Sequence, residues 1–307
     1  MPGRHHLRER DIKFLQFIGR YGYITLDQAK EFFGTSYYHY RRILVLEEHG
    51  YISKIKSKYL RLTQKGREIA GINEQTRLGD IKQIERRVLS AELDIKFRGL
   101  PLGWEWIPSF EVKEKDTTFS PTSKFNGLLK NKDRIYLTYV LPAKPKEKYV
   151  DTVKLEMEKL SDAGYIRAIV FCKSPLAIKM FGDKNRGMNE LHVLPYPNGV
   201  QLLPFLNPEM VQQLGRELFG SIIVGENPQA DFTIIQDGRK IDLWFLATSD
   251  LAKLNTLKSH VKIFSGAVSS RSNAVLCLEQ QRNYYQEQFP ELPVYTFSLD
   301  KVLGRVV

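Results

Sequence analysis

Cysteine is scarce in this chain: two residues in 307, Cys172 and Cys277, each inside an apolar run. Two isolated thiols do not frame a small domain, and they read as buried groups of a reducing compartment. Histidine is nearly as thin, with six residues and no CxxC or HxxxH spacing. Neither a metal site nor another cofactor is expected from such a set. No uninterrupted apolar run approaches the ~18 residues that a membrane-spanning helix needs. The opening stretch MPGRHHLRERD is charged and has no apolar h-region, so it does not read as a secretory signal. The phosphate loop GxxxxGK[ST] is also missing, which argues against nucleotide hydrolysis. These absences describe a cytosolic protein without a cofactor and without a membrane partner.

What the chain does have is core-forming residues and positive charge. Hydrophobic residues make up 42%, enough for real cores, and the length suits two or three domains. The net charge is +11 and is unevenly spread. Residues 1–76 hold 14 basic and 8 acidic residues, residues 77–180 hold 20 and 14, and residues 181–307 hold 12 and 13. The net values are +6, +6 and −1, so the excess sits in the first three-fifths. A basic excess of this kind suits a polyanion such as DNA or RNA.

Residues 10–20, RDIKFLQFIGR, place Ile12, Phe14, Leu15 and Ile18 at helical spacing. Tyr23 and Ile24 read as a short extended piece. Thr25 and Gln28 then fit a capping box for a helix over 26–33, which stops at Gly34. Thr35 or Ser36 caps a third helix, reaching about His49 and ending at Gly50. Residues 51–55 and 59–62 alternate like strands around a polar turn, and Thr63 caps a last helix over 64–72. In the third helix, Tyr40, Ile43, Leu46 and Leu44 are expected to face the core. Tyr38, His39, Arg41, Arg42 and Val45 are expected to face outward.

This order resembles a winged helix-turn-helix, on the strength of the LEEHGYI tail at 46–52 and the basic ribbon after it. The resemblance implies a third helix in the DNA major groove and a ribbon against the backbone. The expected DNA-binding set is Ser36, Tyr38, His39, Arg41 and Arg42 on the helix, with Lys54, Lys56, Lys58 and Arg61 on the ribbon. Arginines at a helix start can pair with guanine edges, whereas ribbon lysines set register on phosphates. Winged helices also serve as protein-docking modules, which is the competing reading.

Residues 77–307 alternate strands and helices. Strand Arg134–Val140, helix Tyr149–Ala163 and buried strand Arg167–Cys172 recur without a gap 106 residues later. The second set is Lys240–Leu246, Leu251–Ala267 and Asn273–Leu278, with Ala168 matching Ala274. Two related mixed α/β domains are inferred. The expected multi-domain α/β plan is therefore a winged helix over 1–76, a first copy over 77–182 and a second over 183–307. Residues 181–200, with Pro195, Pro197 and Gly199, read as the connection or the first hairpin of the second copy.

A basic winged helix followed by such a module resembles the replication-relaxation family of plasmid and mobile-element proteins. The resemblance implies an α/β part similar to the restriction-endonuclease fold. It also implies a role in starting or controlling replication, or in relaxation of the element's DNA. Nucleases of that fold need acids on two neighbouring strands to hold Mg²⁺, and a lysine two residues after the second acid. Asp231 and Asp242 have suitable spacing, but Trp244 stands where the lysine belongs. In the first copy, Phe125 and Tyr136 occupy the acid positions. Asp94 with Glu111 and Lys113 fits the spacing on paper, and acid-x-Lys triplets are common in this chain. No catalytic residue is assigned, although a nucleophilic tyrosine stays open among 15 tyrosines. The expected activity is sequence-specific binding of double-stranded DNA in replication. A transcription regulator and a metal-dependent nicking enzyme are the alternatives. Expected partners are duplex DNA, a second copy in a homodimer, and replication or transfer proteins.

Overall fold

Apolar spacing in the first stretch produces α1 (Glu9–Tyr21), which buries Phe14, Leu15, Phe17, Ile18 and Tyr21. The computed structural model of the protein describes residues 7–34, 37–73, 80–101, 103–264 and 271–300. It is a mixed α/β protein of two compact units, Met1–Gly99 and Leu100–Val307.

In the first unit, β1 (Ile24–Thr25) leads into the capping box, which forms as expected. The Gln28 backbone N–H donates to Thr25 Oγ1 at 3.2 Å, and the Thr25 N–H donates to Gln28 Oε1 at 2.9 Å. The box closes a turn rather than a long helix, and α2 is only Lys30–Phe33. Then come α3 (Tyr38–Glu48), β2 (Ile52–Ile55), β3 (Tyr59–Leu62) and α4 (Gln64–Ala70). Thr63 caps α4 by accepting from the Gly66 N–H at 3.1 Å. The three strands form one antiparallel sheet in the order β1-β3-β2. Lys56 and Ser57 both take positive φ, 49° and 55°, between the hairpin strands. They are the two central residues of a turn closed by the Lys58 N–H, which donates to the Ile55 carbonyl at 3.2 Å, within a three-residue loop between the paired Ile55 and Tyr59.

The last helix of this unit is α5 (Ile81–Arg98). The expected domain boundary at 76 falls outside the described residues, but the division itself comes after Gly99. The reason is local: Ile84 packs with Tyr23 and Tyr59, and Tyr21 donates a 2.7 Å hydrogen bond to the buried Asp94. The helix is thereby part of the first core.

The second unit contains β4 (Glu105–Pro108), α6 (Ser109–Lys115), β5 (Gly127–Asn131), β6 (Arg134–Leu141), α7 (Glu147–Asp162), β7 (Arg167–Cys172), α8 (Pro175–Phe181) and β8 (Glu190–Pro195). A 3₁₀ segment (Asn198–Leu206) follows, then α9 (Pro208–Phe219), β9 (Phe232–Gln236), β10 (Arg239–Phe245), α10 (Leu251–Phe264), β11 (Arg271–Leu278), α11 (Arg282–Gln288) and β12 (Val294–Phe297). One sheet is ordered β4-β5-β6-β7-β8 and the other β9-β10-β11-β12. Each contains an antiparallel hairpin followed by two parallel additions. The register repeats as well: Leu137 lies opposite Ala168 and Leu243 opposite Ala274, each partner 106 residues on.

The two sheets do not make separate domains. Leu137, Met157 and Val170 share one apolar cluster with Trp244, Leu254 and Val275. The expected boundary at 182 therefore cuts through a common core. Residues 181–200 do not open the second copy either. Within them β8 pairs in parallel with β7 and completes the first sheet. Its apolar Leu191, Val193 and Leu194 give it a buried place there, which the flanking prolines masked.

Candidate nucleic-acid interface

The orientation of α3 is set by a charge in α1. Asp11 falls on the same helical stripe as Phe14, Leu15 and Ile18, and it is fully buried. A buried carboxylate must be paired. Asp11 Oδ2 accepts the Arg8 backbone N–H at 2.7 Å, and Oδ1 accepts Arg42 Nε at 2.7 Å. A second Arg42 nitrogen donates to Oδ2, so the guanidinium fork is bidentate. Burial alone pushes the Asp11 carboxyl up. The Arg42 and Arg8 hydrogen bonds, with the Arg42 and Arg10 charges, outweigh it and hold the carboxyl below its ordinary range.

This pairing rotates the helix away from its expected phase. The buried residues are His39, Arg42, Ile43 and Leu46. His39 and Arg42 are therefore inside, not on the outward face where they were expected, and Tyr40 is outside, not in the core. Leu44 is likewise exposed. The outward stripe consists of Tyr37, Tyr40 and Leu44, exposed by 74%, 43% and 47%, with Arg41 exposed beside them. The Arg41 guanidinium lies 5.9 Å from the Tyr37 ring centre. Tyr38 lies at the edge of this face, where Arg10 donates to its hydroxyl at 3.0 Å and stands over its ring. Ser36 lies outside the described residues. Sequence periodicity missed Tyr37 and Tyr40, because it treated Arg42 as free. The detectable signal was Asp11 itself, an acid at a core-facing position that calls for a buried cation.

The hairpin places its lysines unequally. Lys56 and Lys58 are exposed at the tip. The Lys58 ammonium lies 5.2 Å from the Tyr59 ring centre. Lys54 donates to Glu47 Oε2 at 2.6 Å and so ties the ribbon to α3. Arg61 is half-buried and directs Nε to Ser53 Oγ of the paired strand at 3.3 Å. Residues 1–99 hold 20 basic and 12 acidic residues, net +8, so most of the chain's +11 belongs to the smaller unit. In the larger unit Lys144, Lys146 and Lys148 are exposed around the start of α7.

The candidate nuclease acids are occupied by internal partners. Asp242 is buried and accepts Thr233 Oγ1 at 2.6 Å and Asn227 Nδ2 at 2.8 Å, with Arg271 Nε at 3.2 Å. Asp231 accepts the Phe245 N–H and Lys253 Nζ, both at 2.7 Å. Burial alone would lower the Lys253 pKa, but the Asp231 and Asp250 charges outweigh it and raise it. Trp244 is buried and donates Nε1–H to Asn273 Oδ1 at 2.9 Å. Phe125 and Tyr136 are buried in the first copy. The other set does not lie on neighbouring strands: Asp94 is on α5 of the first unit, and Glu111 and Lys113 are on α6 of the second. Asp94 accepts Tyr21 and a bidentate Arg98 at 3.0 and 2.9 Å, while Lys113 donates to the Ser123 carbonyl at 2.9 Å. Among the described residues, no group of three or more His, Cys, Asp or Glu side chains could hold a metal ion.

A polar centre of the second unit joins Tyr136 and Asp231, which stand at the compared nuclease-acid positions, to charged groups that the sequence did not single out. Glu190 accepts Arg167 Nε at 2.8 Å and the Tyr136 hydroxyl at 2.9 Å, and it also pairs with Arg134. It lines a cavity of about 360 Å³ with His192, Asp231, Asp250 and Lys253. Desolvation would raise the Glu190 pKa, but the His192, Arg134 and Arg167 interactions outweigh it and lower it. No protein-family model matches the chain, and neither a curated protein nor a solved structure is significantly similar to it.

Proposed function

We propose that this protein binds a specific double-stranded DNA site and thereby initiates or controls replication of a plasmid or other mobile element. In this reading the first unit is a winged helix-turn-helix. Helix α3 enters the major groove and the β2–β3 hairpin lies along the backbone. The single observation that carries it is the joint exposure of Tyr37, Tyr40, Arg41 and Leu44 on one helix and Lys56 and Lys58 on one hairpin tip. Both sets belong to a unit of net charge +8. A protein-docking helix would need the apolar stripe but not the charged tip.

The second unit is a non-catalytic scaffold related to the restriction-endonuclease fold. It supplies self-association as a homodimer, or contact with replication or transfer proteins, in the cytosol. The acids that cleavage would need are engaged by Thr233, Asn227, Lys253 and the Phe245 amide, which supports a binding role without strand scission. Exposed Lys144, Lys146 and Lys148 give it a share in backbone contact.

The test is selection of duplexes from a random pool by the full chain, followed by footprinting across the element's own DNA. A protected site in the replication origin supports the reading. A site confined to promoters turns it into transcription regulation. No enriched duplex, or nicking of supercoiled DNA under Mg²⁺ or Mn²⁺, overturns it.

A further inference from the structure

With Arg42 and His39 drawn inward, the outer face of α3 is poor in hydrogen-bonding groups that read bases. Arg41 is its one strongly basic member, and the rest of the stripe is Tyr37, Tyr40 and Leu44. In the major groove, arginine recognises the two acceptors of guanine. Apolar side chains have one sequence-informative target there, the C5-methyl group of thymine. Leu44 offers nothing else to a base edge, and the Tyr40 ring offers mainly an apolar face.

We infer that the site is recognised chiefly through thymine methyl groups, read by Tyr40 and Leu44, with Arg41 on an adjacent guanine or phosphate. This rests on the DNA-binding reading above and gives it a chemical target. Tyr40 and Leu44 are four residues apart on one helix, a separation of about 6 Å along the axis. Base pairs rise about 3.4 Å each, so the two methyl contacts fall roughly two base steps apart. DNA is the occupant favoured for this stripe because its unit holds 20 basic and 12 acidic residues, with the exposed acid Glu48 one turn beyond Leu44 toward the helix end. Arg41 stands within it, Arg10 leans on Tyr38 at its edge, and Lys56 and Lys58 project from the same unit.

The experiment uses the full chain and its selected duplex, with each thymine replaced in turn by deoxyuridine. That exchange removes one methyl group and leaves every hydrogen-bonding edge intact. Two positions about two steps apart should each bind about fourfold more weakly, the factor that burying one methyl corresponds to. Leu44→Ala should erase the difference at its own position only, and Arg41→Ala should leave both differences in place. Thermal melting of each variant confirms that it is folded. If deoxyuridine is neutral at every thymine of a tightly bound site, the methyl inference falls and DNA binding stands. Tyr40→Ala and Leu44→Ala chains that keep full affinity and site preference also overturn it, and they assign the stripe to a protein partner. Failure to bind any duplex sinks the DNA reading itself.

Discussion

Replacing Arg42 by alanine separates a groove-reading arginine from a structural one. Arg42 is nearly buried, and its fork closes on Asp11, which no solvent reaches. Arg42→Ala leaves that carboxylate without its cation inside the core between α1 and α3. Breaking a buried pair by removing one partner costs about 3–5 kcal/mol. A loss of that size is a large fraction of the ~5–15 kcal/mol that stabilises an ordinary domain. Chemical denaturation of the full chain, followed by a probe in the first unit, should show it. Replacing both partners together with apolar residues, as in Asp11→Leu with Arg42→Met, should recover much of the loss, because no unpaired charge remains. Arg41→Ala is the control: its exposed side chain should change stability by less than about 0.5 kcal/mol. The pH dependence has a definite sign. A carboxyl whose folded pKa is lowered adds stability that is complete above its ordinary value of 3.8. That stability is lost as pH falls through the lower folded value, so acid should melt the first unit early and Asp11→Asn should blunt the effect. An Arg42→Ala chain that melts like the wild type, and loses affinity at one base pair only, would refute this account.

Lys56→Ala should weaken DNA binding evenly across sequences and reduce the slope of log affinity against log salt by about one, measured by titration at several salt concentrations. Glu190→Ala should destabilise the second unit by about 1.5–3 kcal/mol, because the half-buried Arg134 and Arg167 lose a shared partner; denaturant melts check this. Gly66→Ala should destabilise the first unit by about 1–3 kcal/mol, since an added Cβ would meet the Tyr51 carbonyl oxygen at 2.0 Å. Cys172 and Cys277 are buried, and their thiol pKa values are pushed up to about 12 by burial, so native chains at pH 8 should resist alkylation that unfolded chains undergo rapidly.

The residues that were legible from sequence are those whose partners are close in the chain. The Thr25–Gln28 box, the Thr63 cap and the Gly50 stop rest on local hydrogen bonds, and their local geometry is as the sequence spells it. The 106-residue repeat was legible because a buried parallel strand constrains composition along its whole length. The phase of α3 was not legible, because it depends on a partner 31 residues away in α1. Helical periodicity counts an arginine as polar wherever it falls, and only the opposing acid shows that this one points inward. The domain boundaries failed for a related reason. Composition reveals that Ile84 and Trp244 are apolar, but not which core each joins.

The tip of the β2–β3 hairpin sets endurance against its proposed use. Lys56 and Ser57 both hold positive φ, a region that asparagine and glycine occupy with little penalty. Each ordinary residue held there costs on the order of 1 kcal/mol or more. A laboratory screen for heat resistance would therefore select Lys56→Asn and Ser57→Gly and report an improved protein. The same screen would discard an exposed positive charge at the hairpin tip. If Lys56 contacts DNA as proposed, tight binding and durability pull this turn in opposite directions.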